Sequence, residues 1–207
     1  MFSRNYAIVD VETTGGSPML NRVIELGIIR VEHGDIAQTF KSLVNPERAV
    51  PAFISSITGI SQRQVDRAPV FAELAEEIFP LFEDAVFVAH NSSFDYAFVK
   101  HEFQRLSWGF AMPSLCTVRL SRTLFPQYKK HSLDALVRRF DFSCKRRHRA
   151  YDDAKVLWDF LRYVDKNFEP AAARAAVERT IKKIPPKLRQ AMAKLPQPEI
   201  TYDRYLD

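Results

Sequence analysis

Segment 7–12 (AIVDVE) places two carboxylates in a run that otherwise has the pattern of a buried strand. Continuous apolar, β-branched residues are typical of a strand covered on both faces. Side chains alternate along a strand, so Asp10 and Glu12 point to the same face, roughly 7 Å apart. Two acids on one buried face repel each other, and a divalent cation between them relieves that repulsion. The alternative is a strand end at which the acids are solvated or paired with arginine.

Length and composition suit one α/β domain with extensions, because 207 residues with 46% hydrophobic side chains can form a substantial core. The net charge of +5 and the pI of about 9.2 weakly favour a polyanionic partner. Cys116 and Cys144 have the spacing of neither a disulfide framework nor a zinc site, which fits a reducing compartment. The N-terminal residues lack signal-peptide features and no apolar run could span a bilayer, so we expect a cytoplasmic protein without a membrane partner.

Three strands are predicted at the start of the chain, over residues 5–12, 22–32 and 36–44, with a hairpin turn at 33–35. Glu25 lies in the middle of the second strand, among apolar residues. It is either a further metal ligand or, as we favour, the structural partner of an arginine or a backbone amide.

The middle of the chain is predicted to alternate helices and strands. Residues 45–68 are loop-like, with Ser61 capping a short helix, and Pro69 begins a longer helix. Residues 86–89 form a short buried strand. Three antiparallel-type strands are therefore followed by an α/β crossover.

Asp95 begins an otherwise apolar stripe on the next predicted helix, which it shares with Val99, Phe103 and Leu106. The helix starts just after a strand, and open α/β sheets bind their ligands at the carboxyl ends of strands. Asp95 is therefore a candidate ligand-binding acid. The alternative is an acid that stabilises the helix N-terminus through the helix dipole.

Further helices are predicted over 115–125, 131–140 and about 150–167. Ser132 is expected to cap the second of them, with His131 beside it at the surface or in the cap.

Two adjacent acids start the last of these helices. Asp153 has helical spacing to the apolar positions 157, 160 and 164, whereas Asp152 shares its face with Asp159 and Tyr163. Helical phase therefore selects Asp153 as the inward-facing acid and Asp152 as the more solvated one.

After residue 168 the composition changes to an alanine-rich helix over 171–183 and a proline-containing stretch. We expect a domain over 1–168 and a helical, proline-containing C-terminal extension or linker over 169–207.

Taken together, four carboxylates begin or end elements that can converge on one edge of the sheet: Asp10, Glu12, Asp95 and Asp153. Oxygen ligands in this number suit two hard divalent ions, Mg²⁺ or Mn²⁺. A neutral histidine close by, His148, can take a proton from an attacking water. This set of groups suits hydrolysis of a phosphodiester.

Three motifs in this order resemble the DEDD 3′→5′ exonucleases of the DEDDh branch, which includes the epsilon subunit of bacterial DNA polymerase III. Residues 10–15 match D-x-E-T-T-G, residues 90–95 match H-N-x-x-F-D, and residues 148–154 match H-x-A-x-x-D-A. The resemblance covers roughly residues 4–168, and the segment 56–60 (SITGI) is also similar to a loop of the family.

The resemblance implies an RNase H-like fold with a mixed β-sheet. It implies that Asp10, Glu12, Asp95 and Asp153 hold two divalent ions, with His148 as the general base. The expected product is a nucleoside 5′-monophosphate.

Substrate contacts are implied in the same way. Small residues after the first strand would line the pocket of the terminal nucleotide, namely Thr13, Thr14 and Gly15. Phe94 would pack beneath the site and Ile60 would touch a base. Arg147 and Arg149 would contact phosphates, although a run of charges is often only a solvated surface. His90 is favoured as a structural histidine over a second base.

The leading function hypothesis is a 3′→5′ exonuclease acting on single-stranded DNA in proofreading or DNA repair. One alternative is an exoribonuclease that trims RNA ends, since the same branch includes ribonucleases. Another is a catalytically silent nucleic-acid-binding adaptor, against which the intact set of site residues argues. A polymerase or repair protein could bind through the C-terminal extension.

Overall fold

A computed structural model describes residues 4–192 and 194–196. Within these residues the strands form one five-stranded sheet in the order β3-β2-β1-β4-β5. The strands are β1 (Asn5–Thr13), β2 (Val23–Glu32), β3 (Asp35–Leu43), β4 (Ala85–Ala89) and β5 (Ser114–Cys116). The first three pair antiparallel, while β4 runs parallel to both β1 and β5. The predicted mixed sheet is confirmed.

Helices cover both faces of the sheet. They are α1 (Ala52–Thr58), α2 (Gln62–Val65), α3 (Phe71–Ile78), α4 (Ser93–Arg105), α5 (Thr117–Leu124), α6 (Leu133–Phe140), α7 (Ala150–Asn167), α8 (Pro170–Thr180) and α9 (Pro186–Met192), with a 3₁₀ helix at Phe79–Phe82. None of the helices described is long and apolar enough to cross a membrane.

The alternation of side chains along β1 divides the core into two layers. Odd-numbered residues such as Ala7 and Val9 pack with α3 and α4, whereas Tyr6 and Ile8 pack with α5, α6, α7 and α8. Asp10 and Glu12 have the same parity as Ile8. The two acids therefore share one face of β1, as predicted, and that face is the one that carries α7.

The expected helix over 115–125 begins only at Thr117, because residues 114–116 pair with β4 as the edge strand β5. Three residues are too few to show a strand pattern without knowledge of the pairing. The helix expected from Pro69 begins at Phe71, where the Glu73 carboxylate accepts a hydrogen bond from the Val70 amide at 2.9 Å.

Among the shorter features, one prediction is wrong and two are confirmed. Residues 52–58, expected to be loop-like, form α1, which ends at the left-handed Gly59. Ser61 caps α2 in a capping box, as predicted, with its amide donating to Gln64 Oε1 at 2.8 Å. Ser132 accepts from the Ala135 amide and so caps α6, also as predicted.

The segment after residue 168 begins with α8, which packs against the main core. Its residues Ala173, Ala176 and Val177 are buried with residues of β1 and α7. Beyond α8, Lys182 and Ser114 exchange two backbone hydrogen bonds at the edge of β5. The division of the chain at residue 168 stays a prediction, and residues 170–182 contact the same body as the sheet.

Candidate active site

Asp10 and Glu12 lie at the carboxyl end of β1, the middle strand of the sheet. Opposite them on β2 are Gly27 and Glu25, and the register shifts between Glu12 and Thr13. Such bulges re-aim side chains at the end of a strand. Among the described residues, the carboxylates of Asp10 and Glu12 have neither a hydrogen bond nor an ion pair.

Asp95 joins this pair from the first turn of α4. Its side chain is 3% exposed, and Oδ1 accepts a hydrogen bond from the Val11 amide at 3.2 Å. A second buried acid, Glu102, fixes the other end of α4 to β2 by accepting from Arg22 Nε at 2.9 Å and from the Val23 amide at 3.2 Å. The helix that carries Asp95 is therefore held against the sheet at both ends.

Asp153 completes the set from the first turn of α7. It is 3% exposed, and its Oδ2 accepts from the His148 amide at 3.2 Å. Asp152 points outward instead, where it pairs with the exposed Arg146 at 3.4 Å. The helical-phase prediction that Asp153 faces inward and Asp152 is the more solvated acid is confirmed.

His148 lies in the loop before α7 with an exposed side chain and a left-handed backbone at φ 60°. One side-chain atom each of His148, Glu12 and Asp153 lies within 4.8 Å of the other two. The predicted base is thus brought to the predicted carboxylates, on the side of the site that is open to solvent.

Glu25 on β2 binds both the loop that carries His148 and the first residue of α7. Its carboxylate accepts from Arg149 Nε at 2.9 and 3.1 Å, from Arg149 Nη2, and from the Ala150 amide at 2.9 Å. The favoured interpretation of Glu25, a partner for both an arginine and a backbone amide, is confirmed. Gly27 allows α7 to lie close to β2, because a Cβ at this position would lie only 2.5 Å from the backbone nitrogen of Tyr151.

Burial and mutual repulsion raise the pKa values of the carboxyl groups. Burial is the main cause for Asp10, whose pKa rises well above its usual value, and the charges of Asp95 and Asp153 raise it further. Burial, then Asp153 and Glu25, raises the pKa of Glu12 to about 8. Burial raises the pKa of Asp95 to about 7, and backbone hydrogen bonds to its carboxylate oppose that shift. The site therefore holds more acid than its own cations neutralise.

Arg147 is the cation nearest to these acids. Its Nη1 contacts Asp153 Oδ1, and its Nε donates to Asp134 Oδ1 at 2.7 Å. The phosphate contacts expected of Arg147 and Arg149 stay predictions, because both side chains are paired with carboxylates. Local sequence patterns carry no signal for these pairings, which join residues that are 13 and 124 positions apart.

Hydrogen bonds of the Thr13 and Thr14 hydroxyl groups stabilise the turn after β1. Thr13 Oγ1 donates to the Gly15 carbonyl at 2.8 Å, and Thr14 Oγ1 accepts from the Arg22 amide at 3.0 Å. Phe94 is half-buried and packs against Phe98 with ring centroids 4.9 Å apart. The predicted roles of these residues toward a nucleotide stay predictions.

Ile60 is only 1% exposed and packs with Ile24 and Val65 in a small separate core. Its predicted contact with a base would require that side chain to leave this core.

His90, favoured as a structural histidine, is largely buried and contacts the side chain of Thr117. Its Nδ1 lies 2.9 Å from Thr117 Oγ1, and the Thr117 hydroxyl donates to the Ala89 carbonyl, so the hydrogen-bond network assigns the proton to Nδ1. Burial lowers the pKa of His90 to about 4. His131, expected at the surface or in the cap, is buried between Ser121 Oγ and the Tyr128 carbonyl, each 2.8 Å away.

A family model described as an exonuclease matches residues 7–161. The chain belongs to this exonuclease family. The predicted resemblance to an exonuclease family is confirmed by this match, and the predicted RNase H-like fold is confirmed by solved structures that share it.

Among its relatives, the 3′-5′ exonuclease DinG of Bacillus subtilis (strain 168) is 39% identical over 160 residues, and that match covers 75% of this chain and 17% of DinG. A PolC-type DNA polymerase III of Clostridium perfringens (strain 13 / Type A) is 32% identical over 168 residues, which cover 81% of this chain and 12% of the polymerase. The exonuclease therefore spans less than a fifth of the length of these relatives.

Solved structures share the fold at lower identity. The nuclease domain of 3′hExo, a DEDDh family member bound to rAMP, has a TM-score of 0.65 at 22% identity, with 79% of this chain and 93% of that one covered. Exonuclease I of E. coli in complex with a dT13 oligonucleotide has a TM-score of 0.69 at 18% identity, with 79% of this chain and 41% of that one covered.

The donor set of this exonuclease fits divalent cations. The site offers carboxylate oxygens, the side chains of Asp10 and Glu12 have no partner in the described ranges, and burial and neighbouring acids raise the pKa of both groups. A divalent cation would relieve that repulsion. The residues that would hold the ions are Asp10, Glu12, Asp95 and Asp153.

Proposed function

We propose that this chain is a metal-dependent 3′→5′ exonuclease that removes nucleoside 5′-monophosphates from single-stranded DNA ends. The observation that carries the proposal is the convergence of four carboxylates and one exposed histidine at the end of β1. A catalytically silent adaptor would not need these groups to remain together. The relatives named as a 3′-5′ exonuclease and as a DNA polymerase support the polarity and the choice of DNA.

In the proposed reaction, water attacks the phosphorus of the last phosphodiester and the bond to the 3′ oxygen of the preceding nucleotide breaks. His148 accepts the proton of the attacking water, and the leaving 3′ oxygen takes up a proton. Two divalent ions, Mg²⁺ or Mn²⁺, when bound, would neutralise the phosphate and the departing oxygen. The small-residue turn at Thr13–Gly15 would accept the terminal nucleotide, with Phe94 beneath the site.

Polarity and metal dependence can be tested together with a 5′-labelled oligonucleotide. We expect a ladder of progressively shorter products with Mg²⁺ or Mn²⁺, slower cleavage of a strand ending in a 3′-phosphate, and none in EDTA. Immediate release of a labelled 5′ mononucleotide, cleavage of a closed circle, or full activity in excess chelator would contradict the proposal.

The same assay on RNA of matched sequence distinguishes a deoxyribonuclease from an exoribonuclease. Faster degradation of RNA would assign this chain to RNA trimming, an activity compatible with the fold because 3′hExo is bound to rAMP.

A role beside a polymerase, in proofreading or repair, is the proposed context, since the chain matches a segment of PolC-type polymerases. Co-purification of the chain with a replicative polymerase tests it. The predicted cytoplasmic location also stays a proposal.

A further inference from the structure

A positively charged groove lies beside the candidate active site, between α4, α5 and the segment 182–188. It encloses about 630 Å³. We call it the basic groove, and its cations are Lys100, Arg119, Arg122, Lys182 and Lys183. Of the described residues that line it, none is an aspartate or a glutamate.

The charges of the basic groove have no acidic partner among the described residues. Across residues 4–192 and 194–196, none of the five groove cations forms an ion pair. Some cations elsewhere in the described residues are paired, as Arg22 is with Glu102 and Arg149 is with Glu25, but the groove brings five unpaired ones together. Five unpaired cations without an intervening acid favour an extended polyanion.

One end of the basic groove lies at the start of α4, the helix that carries Asp95. Asn91, Ser92 and Ser93 line it, and the chain continues directly into Phe94 and Asp95. Residues 91–93, which separate the groove from Asp95 along the chain, include no acidic side chain.

The opposite wall is formed by a part of the chain outside the family match, which ends at residue 161. This segment is nevertheless held against the main body of the protein. Lys182 and Ser114 exchange backbone hydrogen bonds of 2.8 and 3.1 Å, and Ile184 packs against the core. The backbone that carries Lys182 and Lys183 is thus held along the edge of β5.

We propose that the basic groove binds the phosphodiester backbone of the substrate strand, at nucleotides that precede the 3′-terminal one. The inference rests on the proposed exonuclease function and adds a strand-binding role for the C-terminal segment. Contacts of lysine and arginine to phosphates are independent of base and sugar, so the groove should serve DNA and RNA strands alike.

The test compares Lys182→Ala/Lys183→Ala with the control Lys166→Ala/Arg174→Ala. The control removes the same charge from exposed positions without an ion pair in the described residues, and Lys166 lies about 20 Å along α7 from Asp153. The substrates are a single strand of about 12 nucleotides, as DNA and as RNA, and the p-nitrophenyl ester of thymidine 5′-phosphate.

Loss of two phosphate contacts should raise KM for the strand about 20-fold at about 0.1 M salt and lower the slope of log KM against log salt by about 1.4. The kcat for the strand and both constants for the nitrophenyl ester should stay unchanged. Lys182→Arg/Lys183→Arg should restore KM, and melting curves of all variants should coincide.

An unchanged KM and salt slope in Lys182→Ala/Lys183→Ala, or an equal change in the control, would overturn the proposal and leave the groove to another partner, such as an acidic protein surface. If wild type hydrolyses neither substrate, the exonuclease proposal fails instead. Fluorescence anisotropy of the labelled strand with the same variants then decides the groove proposal by Kd.

Discussion

Asp152 and Asp153 are adjacent in sequence but differ in environment. Asp153 is buried beside Arg147 and the His148 amide, whereas Asp152 pairs with an exposed arginine. Only Asp153 is therefore placed to hold an ion with the other carboxylates.

We predict that Asp153→Asn removes nearly all turnover, whereas Asp152→Asn lowers kcat by less than about tenfold, which corresponds to about 1.4 kcal/mol. Purified, folded variants assayed at saturating metal check this difference, and each is the control for the other. Equal losses in the two variants would show that the ligand is wrongly assigned.

The role of His148 can be separated from substrate binding. If it is the general base, the rate should rise with pH through one titration, and His148→Ala should flatten that limb and lower kcat by about 10²- to 10⁴-fold. Bound metal should remain, because the four carboxylates are unchanged. The measurement is the single-turnover rate across pH, with metal content determined on the same sample. A raised KM with normal kcat would instead assign His148 to phosphate contact or loop order.

Among single residues, the sequence correctly predicted those whose orientation depends on local periodicity. Strand parity aligned Asp10 with Glu12, and helical phase selected Asp153. It did not predict the burial of Ile60 or of His131, because both depend on contacts with elements that the local pattern does not specify.

At the scale of elements, a partly buried ion pair holds the N-terminal end of α7 to β2. Glu25 caps the first turn of α7 through the Ala150 amide and holds Arg149 at the same time. Since α7 carries Asp153, the geometry of the site depends on this link to β2.

We expect Glu25→Gln to lower the free energy of unfolding by about 1–3 kcal/mol, because a charged acceptor with several donors is lost and Arg149 is partly exposed. Turnover should fall as well. Urea denaturation and kcat provide the measurements. The control is Glu32→Gln on the same strand, where the more exposed pair with Arg30 should contribute no more than about 0.5 kcal/mol. A Glu25→Gln variant as stable and active as the control would refute the link.

The strand β5 and the docking of α8, which the sequence did not predict, share a physical cause. Strand β5 is recognisable only through its pairing with β4, and the docking of α8 depends on alanine contacts that look like those of a polar, exposed helix. Long, strongly patterned elements such as β2 and α7 were predicted almost to their ends, since their periodicity is local.

For the whole molecule, the acids of the site make the stability of the metal-free chain depend on pH. Asp95, with a pKa of about 7, and Glu12, with a pKa of about 8, retain protons that the unfolded chain has released. Their contribution to stability is therefore lost as pH rises through these values. His90 acts in the opposite direction but below about pH 6.5, because its pKa is lowered to about 4.

We predict that in EDTA the urea midpoint falls between about pH 6.5 and 8, and that Mg²⁺ or Mn²⁺ raises it more at the higher pH, where the ligands are ionised. The conservative variant Glu12→Gln should show a smaller fall with pH. A metal-free chain whose midpoint is constant or rises over this interval would contradict the repulsion inferred for the site.

The salt bridge between Glu25 and Arg149 also limits how early during synthesis the active site can be completed. Its two residues are 124 positions apart, so a ribosome that adds about 5–20 residues per second makes the second one about 6–25 s after the first. Until then the nascent chain carries at most three of the four acids, without the helix that provides Asp153. Prematurely terminated products that end before α7 should therefore not cleave nucleic acid, even when they contain all five strands of the sheet.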